Sequence, residues 1–117
     1  MKEYAVIIGG LVKSEKVVYT QLPRPVILNN ILKALQRLYT FEYEIFRQHG
    51  FQIITEPSIV ESLVDAIKKA FEEHNLSVYI EYGTGEIEHL GPTPGLSYGP
   101  VLTKVGRSFD AQFRLMQ

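Results

Sequence analysis

The sequence predicts an α+β fold: a two-layer sandwich in which a mainly antiparallel sheet carries two helices on one face. Two amphipathic stretches, each following a proline, repeat apolar residues every three or four positions, as helices do. Each is preceded by short stretches rich in β-branched and aromatic residues, which are typical of strands. Strand pair, proline and helix thus occur in that order over 4–38 and again over 41–74, and two such ββα units can share one sheet. The 117 residues, 45% of them hydrophobic, suit a single domain over 1–117.

The first unit begins with a nearly continuous apolar stretch over 4–12, as expected of a strand that is buried on both faces. Gly9 and Gly10 within it indicate a bulge or a close approach of other atoms to the backbone. A polar turn and a second strand over 17–21 follow, whereas a phosphate-binding loop would open a helix, so no nucleotide site is predicted here. Pro25 suits the first position of the next helix. The apolar stripe of that helix consists of Ile27, Leu28, Ile31, Leu35 and Leu38.

The second unit starts with a hairpin whose strands cover 41–45 and 51–55. Apolar and charged residues alternate strictly in the first strand, as in a strand with one face buried. The same stretch also fits a continuation of the preceding helix, because Leu38, Phe41 and Ile45 lie three or four positions apart. We favour the hairpin.

The helix after Pro57 has the clearest pattern in the chain. Ser58 and Glu61 have the spacing of a capping box, in which each side chain accepts a hydrogen bond from a free amide of the first turn. Asn75 suits the left-handed residue that ends many helices. The apolar stripe consists of Val60, Leu63, Val64, Ile67 and Phe71.

The last third of the chain predicts a further hairpin, a long loop and a C-terminal strand. The hairpin joins 77–82 to 86–89 through a turn that contains two glycines. A loop is predicted over 83–100, where five residues are glycine and three are proline. Apolar and polar residues then alternate over 109–115, which predicts the final strand.

The charge is small overall but unevenly distributed. The net charge is −1, yet residues 1–55 carry seven Lys/Arg against four Asp/Glu, residues 56–88 carry two against eight, and residues 89–117 carry three against one. This balance argues against a globally basic nucleic-acid-binding protein, and the acidic middle could meet a basic end of a second copy.

Composition also excludes several kinds of site. The absence of cysteine excludes disulfides, thiolate zinc sites and cysteine nucleophiles, and no cofactor is predicted. No apolar run reaches the roughly 20 residues that cross a bilayer, and no secretory signal is recognisable. We therefore expect a cytoplasmic protein without a membrane segment, and the composition suits an accessory or virus-encoded protein.

The main functional hypothesis is a small non-enzymatic protein-binding module that forms a homodimer. The predicted strands over 17–21 and 109–115 offer sheet edges that a second copy could cover. The loop over 83–100 offers apolar contacts on a rigid base. The expected partner-binding residues are Tyr82, Leu96 and Tyr98.

Two alternatives belong to other functional classes. Nucleic acid could bind to basic residues near the two ends of the chain, which are Lys13, Lys16, Arg24, Lys104 and Arg107. A metal-dependent hydrolase could hold a divalent cation with the carboxylates of the third hairpin, which are Glu81, Glu86 and Glu88. No catalytic triad pattern or paired histidine spacing accompanies them, so an enzyme is not favoured.

Overall fold

Four strands and three helices make up the regular structure of the described residues. The computed structural model describes residues 2–12, 24–47 and 49–116. The strands are β1 (Glu3–Leu11), β2 (Phe41–Phe46), β3 (Gly50–Thr55) and β4 (Val78–Glu86). The helices are α1 (Arg24–Leu35), α2 (Val60–Glu73) and α3 (Pro100–Phe113). Short 3₁₀ turns occupy Pro57–Ile59, Pro94–Leu96 and Arg114–Met116.

The strands form one antiparallel sheet in the order β2-β3-β1-β4. The order β1-α1-β2-β3-α2-β4 along the chain, combined with this order in space, is the split β-α-β topology, also called ferredoxin-like. The predicted α+β class with an antiparallel sheet is therefore confirmed. In the second ββα unit, β2, β3 and α2 follow one another as predicted. The strand predicted over 17–21 lies outside the described residues, and β1 has β3 on one side and β4 on the other.

Alternation along β1 divides the interior into two cores. Ala5 and Ile7 face α1 and α2, whereas Val6 and Ile8 face α3, because successive side chains of a strand point to opposite faces. This explains why β1 is almost entirely apolar in the sequence: a central strand covered on both faces has no solvent side.

The larger core lies between the sheet and the first two helices. The predicted apolar stripe of α2 is buried throughout, and the stripe of α1 is buried up to Leu35, whereas Leu38 lies beyond the helix and is 78% exposed. The two helices therefore share one face of the sheet, as predicted. Asn75 has a φ of 57° and closes α2 in the expected left-handed conformation. The capping box was wrong, because Pro57–Ile59 form a 3₁₀ turn and Ile59, with no side-chain cap, precedes α2.

The C-terminal strand predicted over 109–115 was wrong, because these residues belong to α3 and the turn after it. The helix buries one residue in every four, and these residues cover the opposite face of the sheet as a third layer. They are Val101, Val105, Phe109 and Phe113. Pro100 occupies the first helical position, where its missing N–H costs nothing. Over a window as short as 109–115, apolar spacings of two and four coincide, so the alternation could not distinguish a strand from a helix.

The third hairpin was also wrong, because β4 runs without a turn through Gly83-Thr84-Gly85. Both glycines face α3 at close range: a Cβ atom at Gly83 would lie 3.0 Å from Val105 Cγ2, and one at Gly85 would lie 3.0 Å from Val101 Cβ. Glycine is needed at these two positions because α3 packs closely on them, and not because the chain turns there. The irregular segment consequently covers 87–99.

The hairpin of β2 and β3 is confirmed against the alternative of one long helix. The helix α1 ends at Leu35, and Phe41 pairs with Thr55 at the open end of the hairpin. Arg47, with a φ of 50°, turns the chain between the two strands. Within the described residues, no helix is both long and apolar enough to span a membrane.

Candidate functional site at the outer edge of β4

The strand β4 has a neighbour on one side only among the described residues. It pairs with β1 along its whole length, from Val78 opposite Leu11 to Glu86 opposite Glu3. None of its nine residues is buried, in contrast with seven consecutive buried residues in β1. An unpaired edge of this length presents a row of backbone donors and acceptors to solvent.

The register shows which backbone groups point outward. Val12 N–H donates to Ser77 O at 3.0 Å, so these two residues stand at a hydrogen-bonded position between β1 and β4. In an antiparallel pair, hydrogen-bonded and non-bonded positions alternate. Residues 79, 81, 83 and 85 therefore turn their N–H and C=O groups toward β1. The residues whose backbone groups turn away from the sheet are Val78, Ile80, Tyr82, Thr84 and Glu86.

The other edge strand, β2, is better protected. Gln36 Nε2 donates to Phe41 O at 2.9 Å and so occupies an outward acceptor of β2. Gly95 N–H donates to Glu44 Oε2 at 2.6 Å, which fixes the 87–99 segment against this strand. Within the described ranges, no side chain makes an equivalent bond to the outward groups of β4. Among the described residues, one outward backbone group of β2 therefore has a side-chain partner, whereas those of β4 have none.

Tyr82 occupies the centre of this edge, on the face that carries α1 and α2. It lies opposite Ile7, which belongs to the larger core, and its side chain is 45% exposed. A groove of about 400 Å³ separates it from the start of α2, where Ser58 and Glu61 form the far wall. An exposed tyrosine beside a groove is a common anchor in protein interfaces, since its ring is large and loses little conformational freedom.

Tyr79 and Glu81 lie on the opposite face of β4, beneath α3. The Tyr79 hydroxyl donates to the Glu81 carboxylate, and its ring packs on Phe109 with centroids 5.7 Å apart. Burial of the phenol, together with the hydrogen bond and negative charge of Glu81, raises the pKa of Tyr79 to about 12. Glu81 is therefore already engaged within its own strand.

The three predicted partner-binding residues fall on two separate surfaces. Tyr82 belongs to the edge of β4, whereas Leu96 and Tyr98 belong to the 87–99 segment and are 62% and 59% exposed. Tyr98 stacks on His89 at 5.2 Å, and the two residues exchange backbone hydrogen bonds of 3.0 and 2.9 Å. The structure does not bring Tyr82 together with the other two.

The three predicted metal ligands are not brought together either. Glu81 faces α3 and Glu86 faces the α1 and α2 side, because they are an odd number of positions apart on one strand. Glu88 follows the end of β4 and lies beside α3. No group of three or more potential ligand residues that could hold a metal ion occurs within the described residues.

Two of the predicted nucleic-acid residues lie close together. Lys104 and Arg107 line a shallow depression of about 680 Å³ at the start of α3, together with Tyr98 and Glu88. Arg24 begins α1, and its side chain is outside the described part of the structure. The positions of the remaining two, Lys13 and Lys16, also lie outside it. Glu88 reduces the positive charge of the depression, and nucleic-acid binding stays a prediction.

The sequence did not indicate β4 as the interaction edge. The signal was available in the alternation over 78–86, where every second residue is Val, Ile, Tyr, Thr or Glu and the intervening ones include two glycines. The two glycines favour a turn by composition alone, and a turn there divides the strand in two. No protein-family model matches the chain, and no curated protein or solved structure matches it significantly.

Proposed function

We propose that this protein is a homodimeric protein-binding module in which the β4 strands of two copies pair antiparallel around a twofold axis. The proposal rests on the outer edge of β4, where no other strand of the described ranges pairs with it. Addition of a strand to such an edge is a general mode of protein recognition. Around a twofold axis, the edge of one copy can form these hydrogen bonds with the same edge of a second copy. The role is binding rather than catalysis.

The full length of β4 pairs with itself when the axis passes through Tyr82, its middle residue. In this register each outward-facing residue meets another outward-facing one: Val78 meets Glu86 of the second copy, and Ile80 meets Thr84. Both sheets then continue as one, and the helices of each layer stay on the same side.

Charge and shape favour this register over the one in which the twofold axis lies one residue earlier, at Glu81. With the axis at Tyr82, Glu81 of one copy lies opposite Gly83 of the other, and Tyr79 lies opposite Gly85. An axis at residue 81 would place two Glu81 carboxylates directly opposite, which is destabilising on a sheet. The glycines opposite Glu81 and Tyr79, in contrast, bring neither a second carboxylate nor a bulky side chain to these positions.

A proline in β4 tests the edge directly. Thr84→Pro removes an outward N–H without removing a bond to β1, whereas Thr84→Ala keeps that N–H and serves as the matched control. We expect sedimentation equilibrium at about 1–100 µM to give twice the 13.3 kDa chain mass for the parent and for Thr84→Ala. Thr84→Pro should be monomeric with an unchanged circular dichroism spectrum. A monomeric parent protein, or a dimeric Thr84→Pro variant, would overturn the proposal.

Cysteine cross-linking tests the register, and the chain contains no cysteine of its own to interfere. Hydrogen-bonded partners across antiparallel strands have Cα atoms about 5.5 Å apart, within the range for a disulfide. Tyr82→Cys should therefore cross-link on oxidation, whereas two Thr84→Cys residues would lie roughly 13 Å apart along the strands and should not. Cross-linking of Thr84→Cys in preference to Tyr82→Cys would reject the register while leaving the dimer intact.

A further inference from the structure

The depression at the start of α3 combines an aromatic side chain with two basic ones. Its volume, about 680 Å³, is within the range of roughly 300–1,000 Å³ that small-molecule sites have. Tyr98 and Glu88 line it from the 87–99 segment, and Lys104 and Arg107 line it from α3. None of these four residues belongs to β4, so a ligand here does not depend on the backbone edge that the proposed dimer would use.

The Tyr98 ring is held in a fixed position. It stacks on His89 with the ring centroids 5.2 Å apart, and the backbones of the two residues exchange hydrogen bonds of 3.0 and 2.9 Å. The next residue, Gly99, packs so closely that a Cβ atom there would lie 2.7 Å from Glu88 N and from Ile87 Cα. Although His89 lies against the ring, 59% of the Tyr98 side chain is exposed. A fixed, exposed ring can stack on another planar group at little cost in conformational freedom.

The two basic side chains are available to an anion. Lys104 and Arg107 are three positions apart on α3, which places them on the same side of the helix. Both are exposed, and neither makes a salt bridge with a described residue, Glu88 included. The depression therefore has two positive charges against one negative, a net charge of +1. This excess attracts a phosphate group, but it is too small to hold a nucleic-acid backbone by charge alone.

We infer that this depression binds one nucleotide unit, with its base stacked on Tyr98 and its phosphate against Lys104 and Arg107. The ring takes a planar heterocycle and the two cations take a phosphate, and a nucleotide carries both groups on one short frame. The bases of a duplex are stacked on each other and cannot reach the ring. The ligand is therefore a free nucleotide or a nucleotide within a single strand.

Fluorescence anisotropy with fluorescein-labelled octamers of single-stranded DNA tests this inference. The parent protein should bind oligo(dT) at about 50 mM NaCl. An abasic octamer with the same number of phosphates should bind at least about tenfold more weakly, because it has nothing to stack on the ring. With two phosphate contacts, the logarithm of the affinity should fall against the logarithm of the salt concentration with a slope of about −1.4. Equal binding of the two octamers, or no binding of either the octamers or thymidine 5′-monophosphate, would overturn the inference.

Competition with unlabelled thymidine 5′-monophosphate distinguishes the two sources of the nucleotide. Displacement of labelled oligo(dT) within about tenfold of the concentration that unlabelled oligo(dT) requires would support a site for a free nucleotide. A requirement for at least about a hundredfold more would support a site for a single strand. In both cases thymidine, which has no phosphate, should displace more weakly than the monophosphate, and equal displacement by the two would reject the phosphate contact.

Three variants separate stacking from charge. Tyr98→Leu removes the ring and should weaken oligo(dT) about tenfold while leaving the abasic octamer unchanged. Arg107→Gln should weaken both octamers alike and reduce the salt slope by about 0.7. Lys69→Gln changes an exposed lysine on α2, which packs on the opposite face of the sheet from α3, so this matched control should have no effect. Equal effects of Arg107→Gln and Lys69→Gln would reject the site, and the two octamers on the parent protein decide the case even if a variant fails to fold.

Discussion

Tyr79 shows how the position of one residue on a strand determines its chemistry. It is next to Ile80, which faces the larger core, yet its own ring lies beneath α3 against Phe109. Burial and the neighbouring Glu81 carboxylate both disfavour the phenolate, which is why the pKa of Tyr79 is raised to about 12 from an ordinary value of 10.0. Glu81 is correspondingly satisfied and not free to bind a cation.

The raised pKa of Tyr79 predicts a loss of stability in alkali. In the unfolded chain the phenol loses its proton near pH 10, whereas in the folded protein it does so near pH 12. The folded state therefore holds more protons between these values, and the free energy of unfolding falls as the pH rises through this window. Tyr79→Phe should show a shallower fall, measured by urea unfolding at several pH values from 9 to 12. Parallel curves for the two proteins would contradict the assigned pKa.

At the scale of single elements, the helices and strands that could be predicted from the sequence are those whose apolar residues repeat regularly over a long stretch. The apolar stripe of α2 fixes a helix because its repeats extend over three turns. The pairing of β2 with β3 was predictable from strict alternation. The third layer was not, because Pro100, which starts α3, also ends a glycine- and proline-rich stretch. The glycines of β4 are ambiguous in a similar way. The composition shows that these residues are small, but it does not show whether a turn or a packed helix requires a small residue there.

Gly9 lies where a side chain of β3 approaches the backbone of β1 closely. A Cβ atom there would lie 2.2 Å from Phe51 Cζ, and the Phe51 ring is itself stacked on Phe71 of α2 at 5.9 Å. The close approach predicted from the glycine pair is thus confirmed. The sheet and α2 come together through a phenylalanine of β3 that lies over the backbone of β1.

Substitution of Gly9 should therefore destabilise the folded protein. Gly9→Ala is expected to lower the free energy of unfolding by about 1–3 kcal/mol or more, because the Phe51 ring is fully buried and has no free space to move into. The cost should shrink in a Phe51→Leu background, which a double-mutant cycle from urea unfolding would measure.

A matched control for this substitution is Gly106→Ala on α3. A Cβ atom at Gly106 would lie 3.9 Å from Ile8 Cδ1, an ordinary contact, and alanine favours helix by about 1 kcal/mol. This variant should be as stable as the parent or more so. Equal losses at Gly9 and Gly106 would show that the glycines matter for backbone freedom rather than for the approach of Phe51.

At the scale of the whole molecule, the sheet is covered on both faces, and this leaves its rim as the surface where backbone is available. The helices α1 and α2 cover one face, and α3 with the 87–99 segment covers the other. The same segment also reaches β2 and fixes one rim. On the opposite rim, no described side chain bonds to the outward backbone groups of β4.

The nature of this rim predicts how the proposed dimer responds to salt. Pairing through β4 as proposed would rely on backbone hydrogen bonds and on Tyr82 at the axis, and the proposed register would keep the Glu81 carboxylates from meeting directly. Raising NaCl from about 0.05 to 0.5 M, which shortens the screening length to a few ångströms, should change the dimer dissociation constant by less than about threefold. Contact between the acidic middle and a basic end of the chain would instead weaken about tenfold or more over the same range. Sedimentation equilibrium at the two salt concentrations distinguishes these modes, and strong weakening by salt would contradict pairing through β4.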